Sequence, residues 1–175
     1  MKRCDVRGRF RGISVPVMAV WFSAAVCSWG GGSDSALLKD FTEAFPAASH
    51  AKILLPTSGL SRTPRVVEVR NGDVLLGFGV ELKVKSRSGP FRMLVSVSPA
   101  ETVIDVQIPK YPHRRGRAVK KQTFLDQFKG AAYGDPLRLG EEIDGVSGAT
   151  SSSTALTEGV RQALLLVHRY RKVEG

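Results

Sequence analysis

Between residues 65 and 108 the chain is a succession of extended runs joined by turns too short to carry a crossover. Residues 65–70 (RVVEVR), 74–85 (VLLGFGVELKVK), 91–98 (FRMLVSVS) and 102–108 (TVIDVQI) are rich in the β-branched and aromatic residues that suit a pleated surface. Asn71-Gly72-Asp73, Ser88-Gly89-Pro90 and Pro99-Ala100-Glu101 separate them. Parallel neighbours need a connection of about a dozen residues or more, so these strands must run antiparallel. Asn71-Gly72 supplies the positive φ angles of a type I′ hairpin turn. The expectation is an antiparallel meander of four strands.

Helical spacing flanks the meander. In residues 35–45 (SALLKDFTEAF), Leu37, Leu38, Phe41 and Phe45 recur on one face and Pro46 stops the helix. Residues 119–128 place Val119, Phe124, Leu125 and Phe128 on one side, with Gly130 as terminator. Residues 154–171 are the clearest helix: Leu156, Val160, Ala163, Leu164 and Val167 form an apolar stripe, and Arg169, Arg171 and Lys172 suit the negative end of its dipole. His168 near that end reads as a surface group complementing the same dipole. The fold class is α+β, an antiparallel β-meander packed with a few helices.

The chain has 175 residues and a formal net charge of +10. That length supports one domain whose core needs no metal or disulfide staple. A basic chain invites a nucleic-acid reading, so the location of the charge decides. Residues 1–11 hold five basic residues and one acid; residues 110–129 hold seven and one. The remainder is close to neutral, and Tyr111 is the main aromatic beside the second cluster, which argues against a nucleic-acid surface. Cys4 and Cys27 are the only cysteines, so no disulfide framework, zinc site or catalytic thiol can operate beyond Trp29. His50, His113 and His168 have neither metal-ligand nor triad spacing.

The basic residues 1–11 precede an uncharged, mostly apolar run at residues 13–29, which ends at Gly30-Gly31-Gly32-Ser33-Asp34-Ser35. This is the order of an export segment. Cleavage after Ala25, retention as a single anchor, and lipidation at Cys27 are the possible fates; Val26 before that cysteine disfavours the last. Basic residues stay on the cytoplasmic side, so the chain beyond Trp29 faces the periplasm or the outer surface of the membrane. The organisation is then a signal peptide or transmembrane anchor at 1–29, a Gly/Ser linker at 30–35 and a functional domain at 36–175.

Ahead of the last helix lies Asp144-Gly145-Val146-Ser147-Gly148-Ala149-Thr150-Ser151-Ser152-Ser153, too small and hydroxylated to form core. Small residues admit a ligand close to the backbone, and N–H groups at a helix start favour an anion such as phosphate. The same composition also serves as an ordinary Ser/Thr-rich helix cap.

Asp144-Gly145-Val146-Ser147-Gly148-Ala149-Thr150 resembles the D-x-x-[S/T]-G-A-[T/S] motif of FMN-binding domains. Such domains occur in flavin subunits of Rnf-type and sodium-pumping NADH:quinone reductases and in the regulator of nitrous oxide reduction. The resemblance runs from about residue 36 to 171 and includes Phe124-Leu125-Asp126-Gln127-Phe128, similar to the family's F-L-x-Q-F. It implies that a flavin transferase takes FMN from FAD and joins its phosphate to the Thr150 hydroxyl. Asp144, Ser147, Gly148, Ala149, Ser151, Tyr111 and Gly116 would surround the cofactor. It further implies an electron carrier without catalytic acid or base, serving a membrane or periplasmic partner of quinone-reductase or cytochrome type. The departure is His113, where the family's Y-x-E-x-x-G segment has Glu; a domain of this fold that has lost flavin is the alternative. The cluster Arg114, Arg115, Arg117, Lys120 and Lys121 has four readings: lipid headgroups, an acidic redox partner, the flavin phosphate, or a solvated face.

Overall fold

The computed structural model describes residues 39–54 and 64–174; the export segment, the linker and the first residues of the 35–45 helix lie outside them. Five antiparallel strands, β1 (His50–Ile53), β2 (Arg65–Asn71), β3 (Val74–Ser86), β4 (Gly89–Val97) and β5 (Val103–Gln107), lie in the sheet in chain order. The four strands expected from sequence are β2 to β5. Strand β1 is additional: four residues paired to β2 from His50 opposite Arg70 to Ile53 opposite Val67. Only Ala51 and Ile53 turn toward apolar neighbours, a pattern too short to register as alternation.

Period-two alternation divides the side chains between two layers. Phe78, Val80, Leu82 and Val84 of β3, with Phe91, Met93, Val95 and Val97 of β4, enter the main core. Val67, Val69 and Leu94 face the other way and form a second cluster with Phe41 and Phe45. Residues 39–41 form a helical turn that continues into turns instead of the full helix expected to residue 45. Its two rings lie directly on the sheet because Gly77 and Gly79 have no side chain: a Cβ on Gly79 would stand 2.8 Å from the Phe41 ring. Both Phe41 and its surroundings are buried, so the ring cannot swing aside freely. Gly79→Val should cost about 1–3 kcal/mol through overpacking, read as a lower denaturation midpoint at unchanged m-value. An unshifted midpoint would mean that the ring is not held there.

After β5 the chain makes a 3-10 turn (Arg117–Lys120), the short helix α1 (Gln122–Leu125) and a second 3-10 turn (Asp126–Phe128) where one helix was expected. The expected apolar face nevertheless holds, with Val119, Phe124, Leu125 and Phe128 all buried. Gly130 at φ 83 turns the chain out.

Helix α2 (Thr150–Glu174) begins four residues earlier than its apolar stripe suggests. Ser and Thr in that first turn could compete with the backbone, but Ser151 Oγ accepts from the Arg87 N–H and Ser152 Oγ bonds the Tyr111 hydroxyl, while in the next turn Thr154 Oγ1 donates to the Thr150 carbonyl at 3.0 Å and Thr157 Oγ1 to the Ser153 carbonyl at 2.9 Å. The stripe Leu156, Val160, Ala163, Leu164 and Val167 is fully buried against the main core. At the other end His168 departs from expectation: it is half-buried, its Nδ1 lies 2.8 Å from Glu101 Oε2, and its ring stacks on Tyr133 at 4.0 Å. Arg171 also reaches Glu101 and donates to the Pro99 carbonyl, tying the β4–β5 turn to the helix.

Candidate functional site

The start of α2 is built around Ala149. Its carbonyl accepts from the N–H groups of Ser152 and Ser153 at 2.9 and 2.8 Å, which makes Ala149 the cap and leaves Thr150 and Ser151 as the first two helical residues. Their N–H groups precede the first helix-closing bonds and point outward with the positive end of the dipole. Gly148, at φ 73, turns the chain into this geometry. Asp144 is fixed from a distance: Gln127 Oε1 accepts from its N–H at 2.7 Å, and Gln127 Nε2 donates to its carbonyl at 3.5 Å.

The opposing wall comes from the segment after Ile108. Tyr111, buried beneath it, shares a 2.7 Å hydrogen bond between its hydroxyl and Ser152 Oγ and donates to the Arg115 carbonyl at 3.1 Å. Gly116, buried at φ 78, leaves the space that a Cβ would take from both hydroxyls. A third side comes from the β3–β4 turn, where the N–H of Arg87 donates to Ser151 Oγ at 2.8 Å.

Together these elements enclose a cavity of about 340 Å³. That lies within the roughly 300–1,000 Å³ of small-molecule sites. Gly116, Gly148, Ala149, Thr150 and Ser151 line it, joined by Arg87, Ser88, Arg115 and Ser152. Of the remaining sequence candidates, Tyr111 stands behind the wall, while Asp144 and Ser147 are exposed on the loop outside the lining. Arg87, Ser88 and Ser152 were not singled out: a turn over sixty residues upstream carries no motif pointing to α2. Gln127 was visible only as a letter of F-L-x-Q-F; its work is to pin the loop. His113 also lies outside the lining, its Nε2 3.0 Å from the Pro90 carbonyl and its ring edge-on to Tyr111.

The electrostatics are one-sided. Two guanidinium groups and a helix N-terminus meet at the cavity, and no acid lines it. Nearby, the Lys129 ammonium and then the Gln122 amide hold the exposed Asp126 carboxyl below its usual range, and Asp126 in turn raises Lys129. Among the described residues no cluster of His, Cys, Asp and Glu could hold a metal, and no helix is long and apolar enough to cross a membrane.

The donor set suits an anionic ligand bearing a phosphate. Thr150 is exposed, and among the described residues its hydroxyl has no hydrogen-bond partner, so it is available to a ligand. Gln127→Ala should release the loop while leaving the core intact, lowering ligand occupancy severalfold with a melting shift of only about 2–4 °C. Unchanged occupancy would show that the loop keeps its shape without the amide. In comparison with known proteins, residues 87–165 match the family model of the FMN-binding domain. No curated protein matches the chain.

Proposed function

From the match of residues 87–165 to the FMN-binding domain model, we propose that this protein is an extracytoplasmic electron-transfer flavoprotein carrying FMN as a phosphoester on Thr150 Oγ1. The observation that carries the linkage is the position of Thr150: first residue of a 25-residue helix, exposed, on the wall of a cavity flanked by Arg87 and Arg115. When bound, FMN supplies one- and two-electron redox chemistry of its own. The chain supplies binding and placement. Arg87, Arg115 and the first N–H groups of α2 offset the phosphodiester charge. The Tyr111–Ser152 bond fixes the wall through which Arg115 is held, and Gly116 keeps it open.

A flavin transferase would form the bond between Thr150 Oγ1 and the FMN phosphorus as the pyrophosphate of FAD breaks and AMP leaves. A covalent tether prevents loss of cofactor outside the cytoplasm, a location supported by the basic and apolar order of residues 1–29. Electrons would pass to or from a membrane or periplasmic partner of quinone-reductase or cytochrome type. The full chain co-expressed with a flavin transferase should show, by intact mass and peptide mapping, one FMN adduct, linked through its single phosphate, on the peptide containing Thr150. Unmodified protein in the presence of active transferase would refute the linkage.

A further inference from the structure

On the far side of the cavity wall lies a groove of about 450 Å³ that the flavin reading leaves without a role. Pro90, Phe91 and Pro112 give it an apolar floor, and Lys83 and Lys110 stand at its rim. Its one acid, Glu81, is neutralised by Arg92 Nε at 2.5 Å and Arg65 at 4.0 Å. Groove and cavity share a wall: Pro90 and Pro112 face one, Ser88 and Arg115 the other, and the His113–Pro90 contact joins the two segments.

The charge around that wall is of one sign. Residues 82–100 and 106–125 contain no Asp or Glu. Lys83, Lys85, Arg87, Lys110, Arg114, Arg115, Arg117, Lys120 and Lys121 are all exposed, and among the described residues none forms an ion pair. Elsewhere Arg65, Arg70, Lys129, Arg138, Arg161 and Arg171 each meet a carboxylate, while Lys39, Lys52, Arg169 and Lys172 form no ion pair among the described residues. A row of unneutralised cations around a concave apolar floor has the anatomy of a protein interface, an apolar centre within a polar rim. It lacks the exposed Trp, Phe or Leu with which a protein enters a lipid surface. The large exposed apolar residues described are Val74, Tyr133 and Val173, none of them in this groove.

We propose that this groove and its rim dock an acidic redox protein, an apolar side chain seating on Pro90, Phe91 and Pro112 while carboxylates meet Lys83, Lys110 and Arg114. The proposal rests on the flavin reading, because a partner seated here is separated from the cavity by one wall. The test uses the full chain with three probes: a small acidic ferredoxin, a basic cytochrome c, and vesicles containing about 30% anionic phospholipid. Binding is measured at about 20 and 200 mM salt, spanning the range in which screening becomes strong. The ferredoxin should bind at low salt and weaken about tenfold or more at high salt. The triple variant Lys83→Gln, Lys110→Gln, Arg114→Gln should weaken it by a similar factor, with flavin content on Thr150 unchanged by mass. Equal ferredoxin binding by the variant, binding to none of the probes, or tighter binding to cytochrome c or vesicles would each overturn the proposal. Flavin content is scored separately: charge-dependent docking with Thr150 unmodified refutes the flavin linkage alone, and loaded protein without such docking refutes the partner alone.

Discussion

With FMN joined to Thr150 as proposed, Thr150→Ala should abolish covalent flavin entirely while leaving a folded protein that melts within about 2 °C of the parent. The two halves of this result have separate causes. Loss is expected because a methyl group offers no oxygen to phosphorus, and the adjoining hydroxyls are held by other contacts. Ser151 Oγ accepts from the Arg87 N–H, and Ser152 Oγ is buried against Tyr111. The fold is spared because Thr150 is exposed and the bond from Thr154 uses its carbonyl, which alanine retains. Alanine is also the better helix former. Thr150→Ser should keep the adduct, since the oxygen stays on the same Cβ. Peptide mass spectrometry reads all three proteins, and an adduct surviving in the alanine variant would move the linkage to another residue.

Gly116→Ala carries the second large effect, on stability and loading together. Gly116 sits at φ 78, where a non-glycine residue costs about 1–2 kcal/mol. Its new Cβ would stand 2.4 Å from Ser152 Oγ and 2.6 Å from the Tyr111 hydroxyl, so one of them must move and their shared bond breaks. A buried hydroxyl left without a partner adds about 1–3 kcal/mol. The sum, about 2–5 kcal/mol, corresponds to a melting temperature lower by roughly 6–15 °C. Because Ser152 lies in the same helical turn as Thr150, flavin loading should fall at least about tenfold, a consequence of misplacement at the proposed attachment point. Gly130→Ala separates strain from collision: φ there is 83, but nothing lies within 4 Å of the added atom. That variant should lose only the conformational share and load normally. Equal losses in the two variants would remove the Tyr111–Ser152 contact from the explanation.

The meander was legible because short turns forbid any other topology and the runs between them alternate. Strand β1 was not, since its four residues owe their conformation to β2 and to the Phe41 and Phe45 layer beneath. The early start of α2 was hidden for a related reason: Ser and Thr read as loop, and the first-turn hydroxyls are held by partners distant in sequence, Ser151 by the Arg87 N–H and Ser152 by Tyr111. The motif around Thr150 was visible as letters, and the structure brings part of it to one cavity. Arg87 reaches that cavity from a distant turn through strand register, information that local sequence does not carry.

The two margins of the sheet bear on how the domain avoids pairing with other sheets. Along β5, the N–H and carbonyl of Val103 are already engaged by the Ala131 carbonyl and the Gly130 N–H. At the other margin β1 offers only four residues, with His50 and Lys52 exposed. Short, charged or covered margins resist the strand addition by which sheets recruit one another into aggregates. Self-association by added strands is therefore poorly supported at either side, and encounters with other molecules fall to loop ends and side chains, whose contacts form and dissolve without rebuilding the sheet.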